Sequence, residues 1–272
     1  MSGGAVTSPL VCLTDWRNVA SPTFDHTRKA DLWSLYWTAT EEGAKDLAGR
    51  KIIAWQPGVL YTSATFGAPA GAPYNLALDA MAKRLNAYNG RLLHETVEGP
   101  VVRMIDITKR GVVASMAGLR AEHFGGFDGH HLDYFWEGVV PAELQEAWRR
   151  ALDAFAKILR AQDPDTIIVG QNDRMVGDLW GATNGCYIEQ SLYYNGRTPE
   201  VHAQDLEGLK NLLKMFDPKR ELVNVVEMRD LLRFDQATMD FVRQWCVEHG
   251  AYLSAGRNET AKGRDATAGT PL

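Results

Sequence analysis

The fold prediction starts from the stretch Gly125-Gly126-Phe127-Asp128-Gly129-His130-His131-Leu132-Asp133-Tyr134-Phe135-Trp136. A glycine pair ends the preceding segment, a short apolar run follows, and Asp133 closes that run among aromatic residues. An acid at the C-terminal tip of a strand is typical of a (β/α) barrel, because the loops after such strands form the functional face. The stretch therefore predicts a barrel strand that ends at Asp133.

Apolar segments of strand length alternate with amphipathic helical patterns along the whole chain. Strands are predicted near residues 10–14, 51–55, 101–105, 129–133, 166–170, 185–189, 222–226 and 251–255. Helices are predicted near residues 28–47, 75–88, 108–123, 142–161, 199–216 and 235–249. This pattern predicts a single (β/α)8 TIM barrel of the α/β class over residues 1–257. The tail 258–272, rich in Gly, Ala, Thr and charge, is expected to be disordered.

The alternative fold is a doubly wound parallel sheet. Such a sheet normally carries a glycine-rich phosphate turn after its first strand, and Asp15-Trp16-Arg17-Asn18 is not one. Acids and amides instead recur where predicted strands end, as expected for the functional end of a barrel. They are Asp15, Gln56, Asp106, Asp133, Gln171, Asn172, Glu189 and Glu227.

Bulk composition limits the classes of partner. The net charge of −5 argues against nucleic acid, and no apolar run is long enough to insert in a bilayer. The three cysteines are far apart without CxxC spacing, so buried thiols are expected. The N-terminus lacks a signal-peptide pattern, which would fit a cytoplasmic, phage-associated or non-classically exported protein, or one whose signal has been trimmed.

Asp133 and Glu189 are the candidate catalytic pair. Each is a carboxylate at the end of an apolar strand, which is a costly position unless the group is paired or functional. Two carboxylates that face each other across one groove are the groups that most glycoside hydrolases use to cleave a glycosidic bond. The simpler interpretations are that Asp133 caps the next turn and that Glu189 forms a salt bridge.

Aromatic and polar residues near the strand ends are the candidate substrate contacts. Sugar rings stack on aromatic side chains while polar neighbours bind the hydroxyls. The long loop from Val59 to Pro73 is a candidate wall of the groove. The predicted contacts are Asp15, Trp16, Trp55, Gln56, Asp106, His131, Tyr134, Trp136, Asn172, Tyr193 and Glu227.

Neither a metal nor a cofactor is expected. No HxH or HExxH pair is present, and adjacent residues His130 and His131 cannot both face the barrel interior from one strand. No GxSxG motif provides a serine nucleophile.

Three motifs resemble a known group of proteins. Gly126-Phe127-Asp128-Gly129-His130-His131-Leu132-Asp133 is similar to the GFDG-x-x-LD strand of TIM-barrel glycosyl-hydrolase-like families. Met104-Ile105-Asp106-Ile107-Thr108 and Asn184-Gly185-Cys186-Tyr187-Ile188-Glu189 resemble segments that precede and follow that strand. These families are related to the endo-α-1,4-polygalactosaminidases and more distantly to the α-galactosidase clan. His130-His131 departs from the aliphatic or aromatic pair common there.

The resemblance implies Asp133 as nucleophile or base and Glu189 as general acid/base, on the fourth and sixth strands. The first hypothesis is therefore a glycoside hydrolase, with retention weakly preferred, that acts on a polysaccharide with amino-sugar or galactose units. The second is a non-catalytic glycan-binding barrel, such as a phage or cell-surface adhesion module. The third is a metal-dependent hydrolase or deacetylase that uses His131 and Asp133.

Overall fold

A computed structural model describes the following parts of the chain. They are residues 10–15, 31–36, 51–57, 60–61, 73–89, 103–133, 135, 137–171, 183, 185–193, 207, 223–229 and 236–256. The predicted disordered tail, the predicted helix 199–216 except Glu207, and most of the loop Val59–Pro73 lie outside them.

Eight parallel strands close into a barrel. In the order of their hydrogen bonding they are β1, β11, β10, β9, β8, β7, β3 and β2, with β2 returning to β1. Their bounds are β1 Leu10–Asp15, β2 Leu32–Tyr36, β3 Lys51–Pro57, β7 Gly129–Asp133, β8 Ile167–Gln171, β9 Gly185–Tyr193, β10 Val223–Arg229 and β11 Tyr252–Gly256. The predicted α/β class is confirmed.

An insertion separates the third and fourth barrel strands. It contains β4 (Leu60–Tyr61), helix α1 (Pro73–Arg84), β5 (Tyr88–Asn89) and β6 (Arg103–Ile105). The three strands form a small antiparallel sheet in the order β4-β6-β5. Because β4 starts soon after β3 ends, this sheet begins at the C-terminal end of the barrel.

Helices pack outside the strands. Helix α2 (Val112–Phe124) precedes β7, a 3-10 turn (Glu137–Val139) and helix α3 (Ala142–Gln162) follow it, and helix α4 (Gln236–His249) precedes β11. One face of α3 is buried, with Trp148, Leu152, Phe155 and Leu159 at helical spacing. The core cluster joins these side chains to α1, to α2 and to Leu132 and Ile168 of the sheet.

Two predicted elements are wrong, but the number of barrel strands remains eight because one error adds a strand and the other removes one. Residues 32–36 are predicted in a helix but form β2, and residues 101–105 are predicted in the barrel but contribute β6 to the small sheet. Asp133 consequently remains at the end of the fourth barrel strand, and Glu189 remains in the sixth. The predicted helix 75–88 also ends early, at Arg84.

The buried-thiol prediction is confirmed for Cys246. This residue of α4 is fully buried, and burial raises the pKa of its thiol to about 12. A thiol in that environment stays protonated and is a poor nucleophile. The side chains of Cys12 and Cys186 lie outside the described residues.

Two glycines in neighbouring elements should respond oppositely to the same substitution. A Cβ at Gly129 would lie 2.0 Å from the backbone oxygen of Ile167, so Gly129→Ala should break the β7–β8 pairing. A Cβ at Gly118 of α2 would meet no atom within 4 Å, so Gly118→Ala should stabilise the helix by about 0.5–1 kcal/mol. Urea unfolding of both variants tests this, and equal effects would contradict the β7–β8 register.

Candidate active site

The two faces of β7 have different surroundings. Leu132 is fully buried in the core cluster together with Trp148 and Phe155 of α3, so its face of the strand turns towards the helices. Side chains alternate along a strand, so positions 129, 131 and 133 belong to the other face, which lines the barrel interior. His131 is on that interior face and is 1% exposed. The predicted separation of His130 from His131 therefore holds in the structure.

Strand register defines what lies beside Asp133. Its backbone pairs with Pro57 of β3, and Trp55 pairs with His131 one layer below. On the other side Leu132 pairs with Gly170, so Gln171 of β8 follows at the level of Asp133. Gln171 in turn pairs with Tyr187 of β9. The fourth, fifth and sixth strands thus bring positions 133, 171 and 187 to one level of the barrel.

Strand β9 leaves regular pairing at Glu189. Ile188 pairs with Val226 of β10, but the next registered pair joins Leu192 to Met228. Residues 189–191 therefore face a single residue of β10, Glu227. Such β-bulges bend a strand and change the direction of its side chains, and they are frequent beside active sites. Both predicted acids of this strand pair lie at the irregularity.

The remaining predicted contacts divide into three groups. Trp55, Tyr193 and Glu227 have described backbone positions in barrel strands. Gln56 pairs with Leu132, and Asp15 pairs with Leu35, so both backbone positions fall on the helix-facing side of the sheet. The third group lies outside the described residues and comprises Trp16, Tyr134, Trp136 and Asn172. The roles of all these residues stay predictions.

The expectation that Asp106 ends a barrel strand is wrong. It follows β6 of the small antiparallel sheet, and its carboxylate accepts hydrogen bonds from the backbone N–H and hydroxyl of Thr108 at 3.1 and 2.6 Å. A side chain that bonds the backbone two residues ahead forms an Asx turn. The local role of Asp106 is therefore to shape the turn before α2, which begins at Val112 rather than near Thr108.

Glu137 is a carboxyl that sequence reasoning missed. It begins the 3-10 turn after β7, four residues beyond Asp133, and it is 8% exposed. Its Oε2 has no hydrogen-bond partner among the described residues. Burial raises the pKa of Glu137, with Arg149 of α3 opposing the shift. An acid in the loop after a barrel strand was the available signal.

His130 lies on the opposite side of β7 from the interior. It is 7% exposed, and burial together with the positive charge of Arg120 lowers the pKa of His130 to about 3. His130 is therefore neutral at physiological pH. The adjacent residues His130 and His131 thus lie in two different environments, one on each face of the strand.

Two negative findings apply to the described residues. No group of three or more His, Cys, Asp or Glu side chains there could hold a metal ion. No helix among them is long and apolar enough to cross a membrane.

Comparisons with known proteins give a likeness of fold. No protein-family model matches the chain, and no curated protein matches it. The structure of the glycoside hydrolase domain of PelA from Pseudomonas aeruginosa is similar at a TM-score of 0.59 and 15% identity, covering 95% of this chain and 98% of that one.

Two further solved structures are similar. Ega3 of Aspergillus fumigatus in complex with galactosamine has a TM-score of 0.58 and 13% identity over 92% of this chain and 91% of that one. The α-galactosidase TtGalA of Thermus thermophilus, in complex with p-nitrophenyl α-D-galactopyranoside, has a TM-score of 0.56 and 13% identity over 91% and 58%. The predicted resemblance to galactosaminidase-like and α-galactosidase-like proteins is confirmed at the level of the fold.

The neutral His130 predicts a specific pH dependence of stability. Its pKa is lower in the folded protein than the ordinary 6.5, so the unfolded chain binds the extra proton between these values. The free energy of unfolding should be highest above about pH 6.5 and should fall towards pH 4, by on the order of 3 kcal/mol from this group.

Urea unfolding at several pH values measures the effect. His130→Gln should flatten the slope between pH 6.5 and 4, whereas His123→Gln, a change at a partly exposed position, should leave the slope as in the wild type. Parallel slopes for His130→Gln and the wild type would contradict the buried neutral imidazole.

Proposed function

We propose that the chain is a glycoside hydrolase with a complete (β/α)8 barrel, and that Asp133 and Glu189 are its catalytic carboxylates. The observation that carries the proposal is the position of both backbones in one closed barrel: Asp133 ends the fourth strand, and Glu189 of the sixth strand lies two residues further towards the C-terminal end of the barrel. Active sites of such barrels form at this end. The fold likeness to glycoside hydrolase structures supports the same chemistry.

The spacing of the two strands suits a carboxylate pair. One strand, β8, lies between β7 and β9, so positions 133 and 189 are roughly 10 Å apart across the sheet at about 4.8 Å per strand. Glu189 is also two residues beyond the level of Asp133, which adds about 6–7 Å along the strand. The separation of the two carboxyl groups decides the stereochemical outcome, since about 5–5.5 Å gives retention and a wider separation gives inversion.

The proposed reaction is a double displacement. An oxygen of Asp133 attacks the anomeric carbon while the bond to the leaving oxygen breaks, and Glu189 gives its proton to that oxygen. The Glu189 carboxylate then takes a proton from water, whose oxygen displaces Asp133 from the sugar. The negative charge on Asp133 and the proton on Glu189 are both restored.

Nearby groups would set the two protonation states. Asp133 must be ionised and Glu189 protonated before the first step, so their environments must differ. His131 is buried one layer below Asp133 on the interior face, so it is the proposed supporting residue for the nucleophile. Glu227 faces the bulge at Glu189, where a neighbouring carboxylate would raise the pKa of the acid.

The proposed substrate is a polysaccharide with galactose or galactosamine units. Galactosamine in the Ega3 complex and the α-galactoside in the TtGalA complex support this class of sugar. Trp16, Trp55, Tyr134, Trp136 and Tyr193 are the proposed stacking residues. The net charge of −5 favours a neutral or amino-sugar polymer over a polyanion.

Substituting the two acids should abolish turnover without abolishing binding. Asp133→Asn and Glu189→Gln should each lower reducing-sugar release by at least about 10³-fold, because each removes a group that acts in the transition state. The assay uses a panel of galactosamine-rich, galactose-containing and bacterial cell-surface polymers. Sedimentation with insoluble polymer measures binding.

Asp128→Asn is the matched control, since Asp128 is exposed and directly precedes the opposite end of the same strand. It should retain wild-type activity. Full activity of either catalytic-site variant would contradict the assignment. Binding of the wild type without product from any polymer would instead favour a glycan-binding barrel.

A further inference from the structure

Arg120 is a fully buried cation without a described counter-charge. It lies on α2 at 0% exposure, and its Nε, Nη1 and Nη2 atoms have no hydrogen-bond partner among the described residues. Its Cζ lies 6.0 Å from the ring centre of Tyr74 on α1 and 5.8 Å from that of Phe155 on α3. The guanidinium therefore sits among three helices and the sheet rather than at the surface.

Two more polar groups around Arg120 are buried and unpartnered within the described part of the chain. They are the hydroxyl of Tyr74 and Nδ1 of His130. Phenol and neutral imidazole can both donate a hydrogen bond, and the guanidinium carries five N–H donors and no acceptor. The arrangement thus offers several donors, and no carboxylate among the described residues accepts from them.

Acids on the surrounding helices are engaged elsewhere or face water, and the charged groups that act on the buried Glu137 of the 3-10 turn are Arg149 and Glu146 of α3. On α1, Asp79 pairs with Lys83 at 2.8 Å, and on α3, Asp153 pairs with Lys157 at 2.6 Å. Glu122 of α2 and Asp128 before β7 are exposed. A buried charge without an opposite charge strongly destabilises a folded protein. Arginine cannot relieve that cost by losing its proton.

We propose that Arg120, Tyr74 and His130 bind a small inorganic anion of the halide class behind strand β7. An anion would neutralise the guanidinium and accept hydrogen bonds from the unpartnered donors. The rings of Tyr74 and Phe155 lie 6.0 and 5.8 Å from Cζ of Arg120, and all three side chains are buried. This enclosure favours a single-atom ion, which accepts from any direction, over a larger oxyanion.

The anion would stabilise the junction that supports the Asp133 strand. Arg120 belongs to the helix before β7, Phe155 to the helix after it, and His130 to β7 itself. Occupancy would therefore link three consecutive elements through one ion. The proposal is independent of the proposed hydrolase function and uses none of its catalytic groups.

Bromide provides the direct test on the wild-type protein. Crystals grown or soaked in bromide should show an anomalous peak within hydrogen-bond distance of the Arg120 guanidinium. The absence of a peak, or a protein carboxylate or water alone in that position, would overturn the proposal.

Thermal unfolding gives the test in solution. Replacing gluconate by chloride at constant ionic strength should raise Tm by about 5 °C at a hundredfold excess over Kd. Arg120→Met should lose the response, and Arg110→Met, a change at an exposed arginine, should keep it. An equal chloride response in Arg120→Met would overturn the site, and the bromide experiment decides the question if that variant does not fold.

Discussion

The pairing of β7 between β3 and β8 is the constraint on which the rest of the site depends. This five-residue strand has Leu132 in the core on its outer face, and the register ties Asp133 to Pro57. A slip of one residue would move Leu132 towards the interior and would carry the whole set of side chains to the wrong face. Gly129 secures the register because no larger side chain fits against Ile167.

The two histidines before Asp133 show how one strand separates two kinds of environment. His130 is on the helix-facing side, where burial and Arg120 keep it neutral. His131 is on the interior side, one layer below the proposed nucleophile. The helix-facing side therefore contributes packing, while the interior face contributes the proposed chemistry.

Sequence alone predicted the strands that end at Asp15 and Asp133, because a short apolar run closed by a polar residue is a strong local signal. The strands predicted to end at Glu189 and Glu227 instead continue to Tyr193 and Arg229. Sequence alone missed β2, whose residues Leu32, Leu35 and Tyr36 fit helical spacing as well as a strand buried on both faces. It assigned residues 103–105 to the barrel because partner choice is a tertiary property that a short apolar run does not encode. The small antiparallel sheet inserted between β3 and β7 was not predicted, for the same reason.

The site was predicted less completely than the fold. Alternation correctly separated His130 from His131, since the period of a strand is a local property. The burial of Glu137 and the bulge at Glu189 could not be predicted, because the first depends on packing against α3 and the second on unequal pairing between β9 and β10. Neither the burial nor the bulge can be predicted from one segment of sequence alone.

The separation between the Asp133 and Glu189 carboxyl groups in a crystal structure tests the central claim most directly. A pair that works as nucleophile and acid/base should lie about 5–5.5 Å apart across an open groove, whereas about 6.5–9.5 Å would indicate inversion with the same two acids. Carboxyl groups well beyond about 10 Å, or on opposite faces of the sheet, would contradict the assignment of this pair.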